Sequence, residues 1–310
     1  MTALSRPPFP SVIDSSLVAA FRSCPQKAFR EYIQHWKFKG RNVHLHAGAA
    51  YAHGLEVARE AFFVKGQDNQ SAVALGVGAL LDAYGDYQCP PDSAKSAERM
   101  AGALEFYFDR YPLESDKAIP ITLSDGKRGI ELSFAEPLEV NHPESSDPLI
   151  YCGRLDQAVE FENMVLGEDD KTTSSLGASW SMQWDLRSQF TSYVWGMKCL
   201  GIKLDGFLIR GVSILKTKYD TQQAITYRPD WQIDRWYEQT LRDVRRMIQC
   251  WEEGYWDYNL DHACAEFGGC AFKNVCLMKE PQLILEAQYE RRRWDPLLRQ
   301  EILLAEGELE

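Results

Sequence analysis

The sequence predicts an α/β protein with a mixed sheet and a helical insertion. Two observations predict it. Residues 48–110 hold three helix-like segments. From residue 118 onward, β-branched and alternating residues broken by Gly, Asn and Pro alternate with helical stretches. Taken in order, the Pro-rich residues 1–13 read as an irregular lead-in. "DSSLVAAFRSCPQKAFREYIQ" reads as two short helices, the first capped by Asp14 or Ser15 and the second opened by Pro25. Residues 48–64 form an amphipathic helix, and 69–84 and 92–110 are helical. The strands are "AIPITLS", "GIELSFAEPLEV", "LIYCGRLDQAVEF" and "MVLGEDDKT", then "GFLIRGVSILKTK" and "QQAITYRP" after a helix over 185–200. A long helix fits 230–253. The tail is loop-rich to about 280 and then helical.

The chain has 310 residues, 45% apolar and 25% charged, as an ordinary globular protein does. Its start lacks the apolar core of a secretory signal. The longest apolar run, "AVALGVGALL", is too short to span a bilayer. A cytoplasmic protein without membrane contact is expected. The net charge of −11 counts mildly against a nucleic-acid partner, although a binding groove is a local property.

"GEDDKTTSS" at 167–175 places three carboxylates beside one lysine. On an extended strand, Asp169 and Lys171 share one face, while Glu168 and Asp170 point to the other as flanking charges. Asp156, on the preceding strand, would join Asp169 across a hairpin. Two such acids make a hard-oxygen site for Mg²⁺ or Mn²⁺. Lys171 would orient water or stabilise the charged transition state. On this motif alone, a solvated acidic hairpin is the commoner explanation.

Three further features favour the metal site. His53 shares a helix face with Glu56, and imidazole with two carboxylates suits Mn²⁺. Gln189 and Tyr193 stand at i and i+4 on the helix after the lysine strand. The third feature is a set of cysteines. Cys264, Cys270 and Cys276 are spaced by five residues in each gap and need a fourth partner. Cys24, just before a helix start, is the best candidate, with His262 as a substitute. The wide gaps suit a [4Fe-4S] cluster better than zinc, which remains the alternative. Cys89, Cys152, Cys199 and Cys250 read as ordinary buried residues.

In this order and spacing, "SSLVAAFRSCPQKAF", His53-Gly-Leu-Glu56, "GRLDQAV", "EDDKTTSS", "QFTSYVWGMK" and "CAEFGGCAFKNVC" resemble the RecB-like branch of the PD-(D/E)XK nuclease superfamily. The likeness is greatest to its iron–sulfur exonucleases of CRISPR adaptation, AddB-type enzymes and phage. The resemblance spans roughly residues 11–280. It implies one nuclease domain over 1–310 with a restriction-endonuclease-like core at about 118–230. It places a helical insertion at about 65–115 and a C-terminal iron–sulfur region formed by Cys24 with 264–276.

The resemblance further implies that His53, Asp156, Asp169 and Lys171 form the metal site, with the carbonyl of Asp170 as a further ligand. Gln189 and Tyr193 would organise the site and bind DNA. Cys24, Cys264, Cys270 and Cys276 would hold the cluster. The departures are a wider first cysteine gap, the extra acids Glu160 and Glu162, and the negative charge. The expected activity is metal-dependent exonucleolytic cleavage of DNA, on single-stranded ends, with Trp180, Trp184 and Trp195 as candidate base-stacking residues. A catalytically silent binding module and a zinc-stabilised adaptor are the competing expectations. No P-loop motif occurs, so unwinding would fall to a helicase or to a recombination or CRISPR partner.

Overall fold

The structure is a computed structural model that describes residues 6–40, 42–265 and 269–304, without the side chains of Asp261 and His262. The first elements are β1 (Val12–Asp14), α1 (Ser15–Ser23), α2 (Pro25–Ala28) with a π-helical turn (Phe29–Ile33), and β2 (Trp36–Phe38). Three helices follow: α3 (Val43–Phe63), α4 (Asn69–Tyr84) and α5 (Ala97–Arg110). Then come β3 (Ile119–Pro120), β4 (Ile130–Asn141), β5 (Pro148–Phe161), β6 (Met164–Thr173), α6 (Ala178–Met182) and α7 (Ser188–Cys199). The chain continues through β7 (Gly206–Ile214), β8 (Tyr219–Tyr227), α8 (Asp230–Glu253), α9 (Lys273–Cys276), α10 (Gln282–Gln288), β9 (Tyr289–Asp295) and β10 (Gln300–Leu303).

The chain divides into two compact units. One comprises Arg41–Ser133 and Arg154–Ile233, the other Met1–Gly40, Phe134–Gly153 and Asp234–Glu310. In the first unit, the C-terminal half of β5 runs antiparallel to β6, from Gln157 opposite Glu168 to Phe161 opposite Met164. The turn between them is two residues long, Glu162 and Asn163, both at positive φ (50° and 67°). Such a turn matches the right-handed twist of the paired strands. β6 then pairs in parallel with β7, and β7 in antiparallel with β8. The sheet is therefore mixed, as the sequence predicts. β7 is buried at every position, as a central strand covered on both faces must be.

The helices of this unit begin on caps. Asn42, Asp68 and Ser96 each accept a backbone N–H of the first turn. The Ser96 cap explains why α5 starts at Ala97 and not near 92. α3 and α4 cross where Gly54 meets Gly76. A Cβ on Gly76 would stand 2.6 Å from the Gly54 carbonyl oxygen and 2.8 Å from the Ala58 Cβ, so only glycine admits this approach. Ala47, Tyr51, Leu55, Leu80, Leu104 and Tyr107 close a core that extends to Val212 and Ile214 of β7.

In the second unit, β1 pairs in parallel with Ile150–Cys152 of β5, and β2, β9 and β10 form an antiparallel sheet in the order β10-β9-β2. Asp14 caps α1, and Pro25 opens α2. Trp36, Phe272, Val275, Leu285 and Tyr289 make a small core. Here the sequence-based expectation needs correcting. The tail past residue 280 is helical only to Gln288 and then forms two strands. "YERRRWD" carries enough charge to hide its strand character. β2 was also unforeseen, being a three-residue strand defined by its partner β9. Among the described residues, no helix is long and apolar enough to cross a membrane.

Candidate active site

The hairpin of β5 and β6 places the predicted acids side by side. The Asp170 N–H donates to Asp156 Oδ2 at 3.4 Å, one step beyond the last paired residues. Lys171 Nζ lies 2.5 Å from Asp169 Oδ2. The Asp169 side chain is 5% exposed and that of Lys171 33%. The structure thus brings Asp156, Asp169 and Lys171 into one cluster. Gln189 and Tyr193 on α7 join each other, the Gln189 amide donating to the Tyr193 hydroxyl at 2.9 Å.

Burial sets the electrostatics of this cluster. It pushes the Asp156 carboxyl up to about 7, with the adjacent Asp169 adding to the rise. Burial also raises Asp169, against the lowering influence of Lys171. For Lys171, burial works against the ammonium, but Asp169 and then Asp156 outweigh it and its pKa rises. Lys171 is therefore a fixed cation and not a base at neutral pH.

One consequence concerns pH. An unfolded aspartate titrates near about 3.9. As pH rises from about 4 to about 7, the unfolded chain gives up its proton first, and the folded protein loses stability through Asp156. Without divalent ions, melting temperature is expected to fall between pH 5 and pH 7.5. Added Mn²⁺ is expected to raise it more at pH 7.5 than at pH 5. A flat profile with no Mn²⁺ effect would contradict the paired-acid site.

The other face of β6 differs from its expectation. Glu168 and Asp170 are not solvated flanking charges; their side chains are 0% and 2% exposed. Arg59 of α3 pairs with Glu168 at 2.9 Å and with Asp170 at 2.7 Å. Arg210 of β7 pairs with Asp116 at 2.5 Å and approaches Glu168 at 3.3 Å. The Tyr107 hydroxyl accepts from Arg59 at 2.8 Å and donates to Glu168 at 3.3 Å. None of Arg59, Arg210, Tyr107 or Asp116 was singled out from the sequence. Two signals were there. Arg59 falls on the apolar stripe of α3, and Arg210 interrupts the apolar run "GFLIRGVSIL".

His53 is not drawn into the acid cluster. Its side chain is 49% exposed and its Nδ1 stands 3.3 Å from Glu56 Oε2. Among the described residues, no three His, Cys, Asp or Glu side chains converge to hold a metal ion. The donor chemistry nevertheless suits a hard divalent ion. The buried Asp156 and Asp169 carboxylates adjoin, and their mutual repulsion, which adds to the rise of the Asp156 carboxyl, is what a divalent cation would relieve. A Mg²⁺ site needs only one or two carboxylates, with water and substrate oxygens completing it. Two tryptophans proposed for stacking are core residues: Trp180 is 5% and Trp184 6% exposed. Trp180 packs over β7 because Gly211, opposite Lys171, leaves room for its indole.

The four cysteines expected to share a ligand lie in the second unit. Cys24, Cys264, Cys270 and Cys276 line one small cavity with Arg30, Phe272 and Ala263. Cys24 Sγ accepts from the Asn259 N–H at 3.4 Å, and the Cys270 N–H donates to the Cys264 carbonyl at 3.2 Å. Burial raises the Cys276 thiol, Arg30 opposes this, and Cys270 and Cys24 add to it. Four cysteines lining one cavity beside a buried guanidinium suit a thiolate-bound group. The alternative ligand, the His262 side chain, lies outside the described residues, as does the stretch 266–268 between the first two cysteines. Of the cysteines read as buried, Cys152 and Cys250 are so, Cys89 is partly buried, and Cys199 is exposed at the end of α7.

No family model and no curated protein matches the chain. Among solved structures, it is similar to a candidate exonuclease from Eubacterium rectale at 10% identity and a TM-score of 0.47, over 86% of this chain and 94% of that one. It is also similar to the protein designated SSO0001 at 13% identity and a TM-score of 0.28, over 63% of this chain and 73% of that one.

Proposed function

We propose that the protein is a metal-dependent DNA exonuclease of the RecB-like PD-(D/E)XK type, acting on single-stranded ends. The observation that supports this reading is the adjacency of Asp156 and Asp169 with Lys171 seated on Asp169. Asp156, Asp169 and the Asp170 carbonyl would hold Mg²⁺ or Mn²⁺, which when bound supplies Lewis acidity and a more acidic water. His53 joins these donors only on leaving Glu56. Lys171, kept cationic by both acids, stabilises negative charge developing on the phosphate. Gln189, held by Tyr193, presents its remaining amide groups to water or the DNA backbone. Duplex DNA would first require unwinding by a partner.

The test compares end-labelled linear and closed circular single-stranded DNA, with Mn²⁺ or with EDTA. Loss of the linear form alone, only with Mn²⁺, is the expected result. Cleavage of both would make the enzyme an endonuclease. No cleavage of either would favour a second reading, a catalytically silent binding module. The exposed His53, paired with Glu56 and not with the acids, is the feature that favours that alternative.

For the second unit, Cys24, Cys264, Cys270 and Cys276 are proposed to hold a [4Fe-4S] cluster, which ties residue 24 to the 264–276 segment. Protein purified without oxygen is expected to be brown and to carry roughly four irons per chain. Cys24→Ala is expected to lose the colour and to lower the melting temperature, since metal binding and folding are linked. Colourless protein loaded with zinc would replace the cluster by the zinc alternative.

A further inference from the structure

We propose that Arg154 is a binding residue for the substrate's phosphate backbone, and that Glu131 occupies its guanidinium until a phosphate displaces it. The inference rests on the nuclease reading above and names a cation that reading does not use. Arg154 stands two residues before Asp156 on β5. Side chains alternate along a strand, so both project from one face, about 6–7 Å apart along it. Arg154 differs from Arg59 and Arg210, which pair with Glu168 on the other face of β6. Arg59 and Arg210 have side chains only 5% and 1% exposed and are locked by buried carboxylates, whereas that of Arg154 is 31% exposed. Its Nε lies 2.6 Å from Glu131 Oε2.

The backbone of Glu131 supplies the second observation. Its φ is +54°, in the left-handed region that a glutamate seldom adopts. Such strain persists only where the surroundings impose it, and it gathers at functional sites. Here the preceding loop imposes it. The Ile121 N–H donates to the Ala158 carbonyl at 2.9 Å and the Ala158 N–H to the Gly129 carbonyl at 2.7 Å. A Cβ on Gly129 would lie 3.1 Å from the Ala158 carbonyl oxygen, so the loop sits hard against β5. Glu131 is thereby presented both to Arg154 and to an open cleft of about 490 Å³, lined also by Glu56, Glu60, Phe63, Lys127 and Arg128.

Carboxylate and phosphate offer a guanidinium the same pair of acceptor oxygens, so one can replace the other. A partly exposed ion pair contributes little net stability, which makes the exchange inexpensive. A carboxylate in the phosphate position also discriminates: isolated anions must compete with a tethered one, while a strand anchored at several phosphates can displace it. In a chain of net charge −11, that selectivity keeps a scarce cation for the nucleic acid.

The test measures binding of a fluorescein-labelled oligo(dT) by anisotropy, in EDTA so that no strand is cut, over a series of salt concentrations. Arg154→Ala is expected to weaken binding roughly tenfold and to reduce the slope of log K against log salt by about 0.7. Arg154→Gln serves if the alanine variant melts early. Glu131→Gln is expected to tighten binding, and the double variant to bind as Arg154→Ala does, because Glu131 acts through Arg154. Unchanged affinity and slope in both Arg154 variants would overturn the proposal while leaving the nuclease reading standing. So would equal tightening by Glu131→Gln in the absence of Arg154. A wild-type protein that neither binds oligo(dT) nor cuts DNA would remove both.

Discussion

Replacing Lys171 by alanine is expected to lower metal-dependent cleavage of DNA by on the order of 10²–10³-fold, as loss of one preorganised electrostatic donor does. The substitution should leave the fold intact. Lys171 is one-third exposed, and its ion pair with Asp169 lies at the edge of the cluster. It should also change the acids. Lys171 lowers the pKa of both Asp156 and Asp169, so its removal pushes both further up and weakens metal binding at neutral pH. Raising the pH or the Mn²⁺ concentration should therefore recover binding without recovering turnover. A Lys171→Ala enzyme that retains wild-type kcat would place the chemistry elsewhere.

Replacing Arg59 by methionine is expected to destabilise the protein by roughly 3–5 kcal/mol, the cost of stranding buried charges. Arg59 is the cation that pairs with Asp170, and it shares Glu168 with Arg210. Without it, three carboxylates, Asp116, Glu168 and Asp170, face one guanidinium. Urea unfolding should show the loss, and its pH dependence identifies the cause. Burial already raises the Glu168 carboxyl and Arg59 helps to hold it down, so without Arg59 it is more readily neutralised and the deficit should shrink as pH is lowered toward 5. A second substitution, Asp170→Asn, should restore part of the stability for the same reason. A pH-independent loss, or one below about 1 kcal/mol, would mean that the network is solvated.

The two faces of β6 show what the sequence made legible and what it did not. Alternation along "GEDDKTT" separated Asp169 and Lys171 from Glu168 and Asp170 correctly, because a strand's period is local. What covers the second face is not local. α5, which supplies Tyr107, comes from the segment that the sequence treated as an insertion, and Arg59 of α3 reaches Glu168 from 109 residues away along the chain, where it meets Arg210 of β7. Arg59 and Arg210 betray this only as charges on apolar stripes. The helices at 69–84 and 230–253 were legible to their ends, and Asp68 caps the first. The tail was not, since β9 takes its form from β2 and β10 and not from its own pattern. His53 and Glu56 were legible as neighbours on a helix, but spacing could not tell that they would meet each other and not the acids.

The most direct measurement is a crystal of the protein soaked in MnCl₂ and measured at the manganese absorption edge. The account predicts an anomalous peak within bonding distance of both the Asp156 and Asp169 carboxylates, lost in an Asp169→Asn crystal. Manganese bound elsewhere, or no peak at a concentration that supports DNA cleavage, would contradict it.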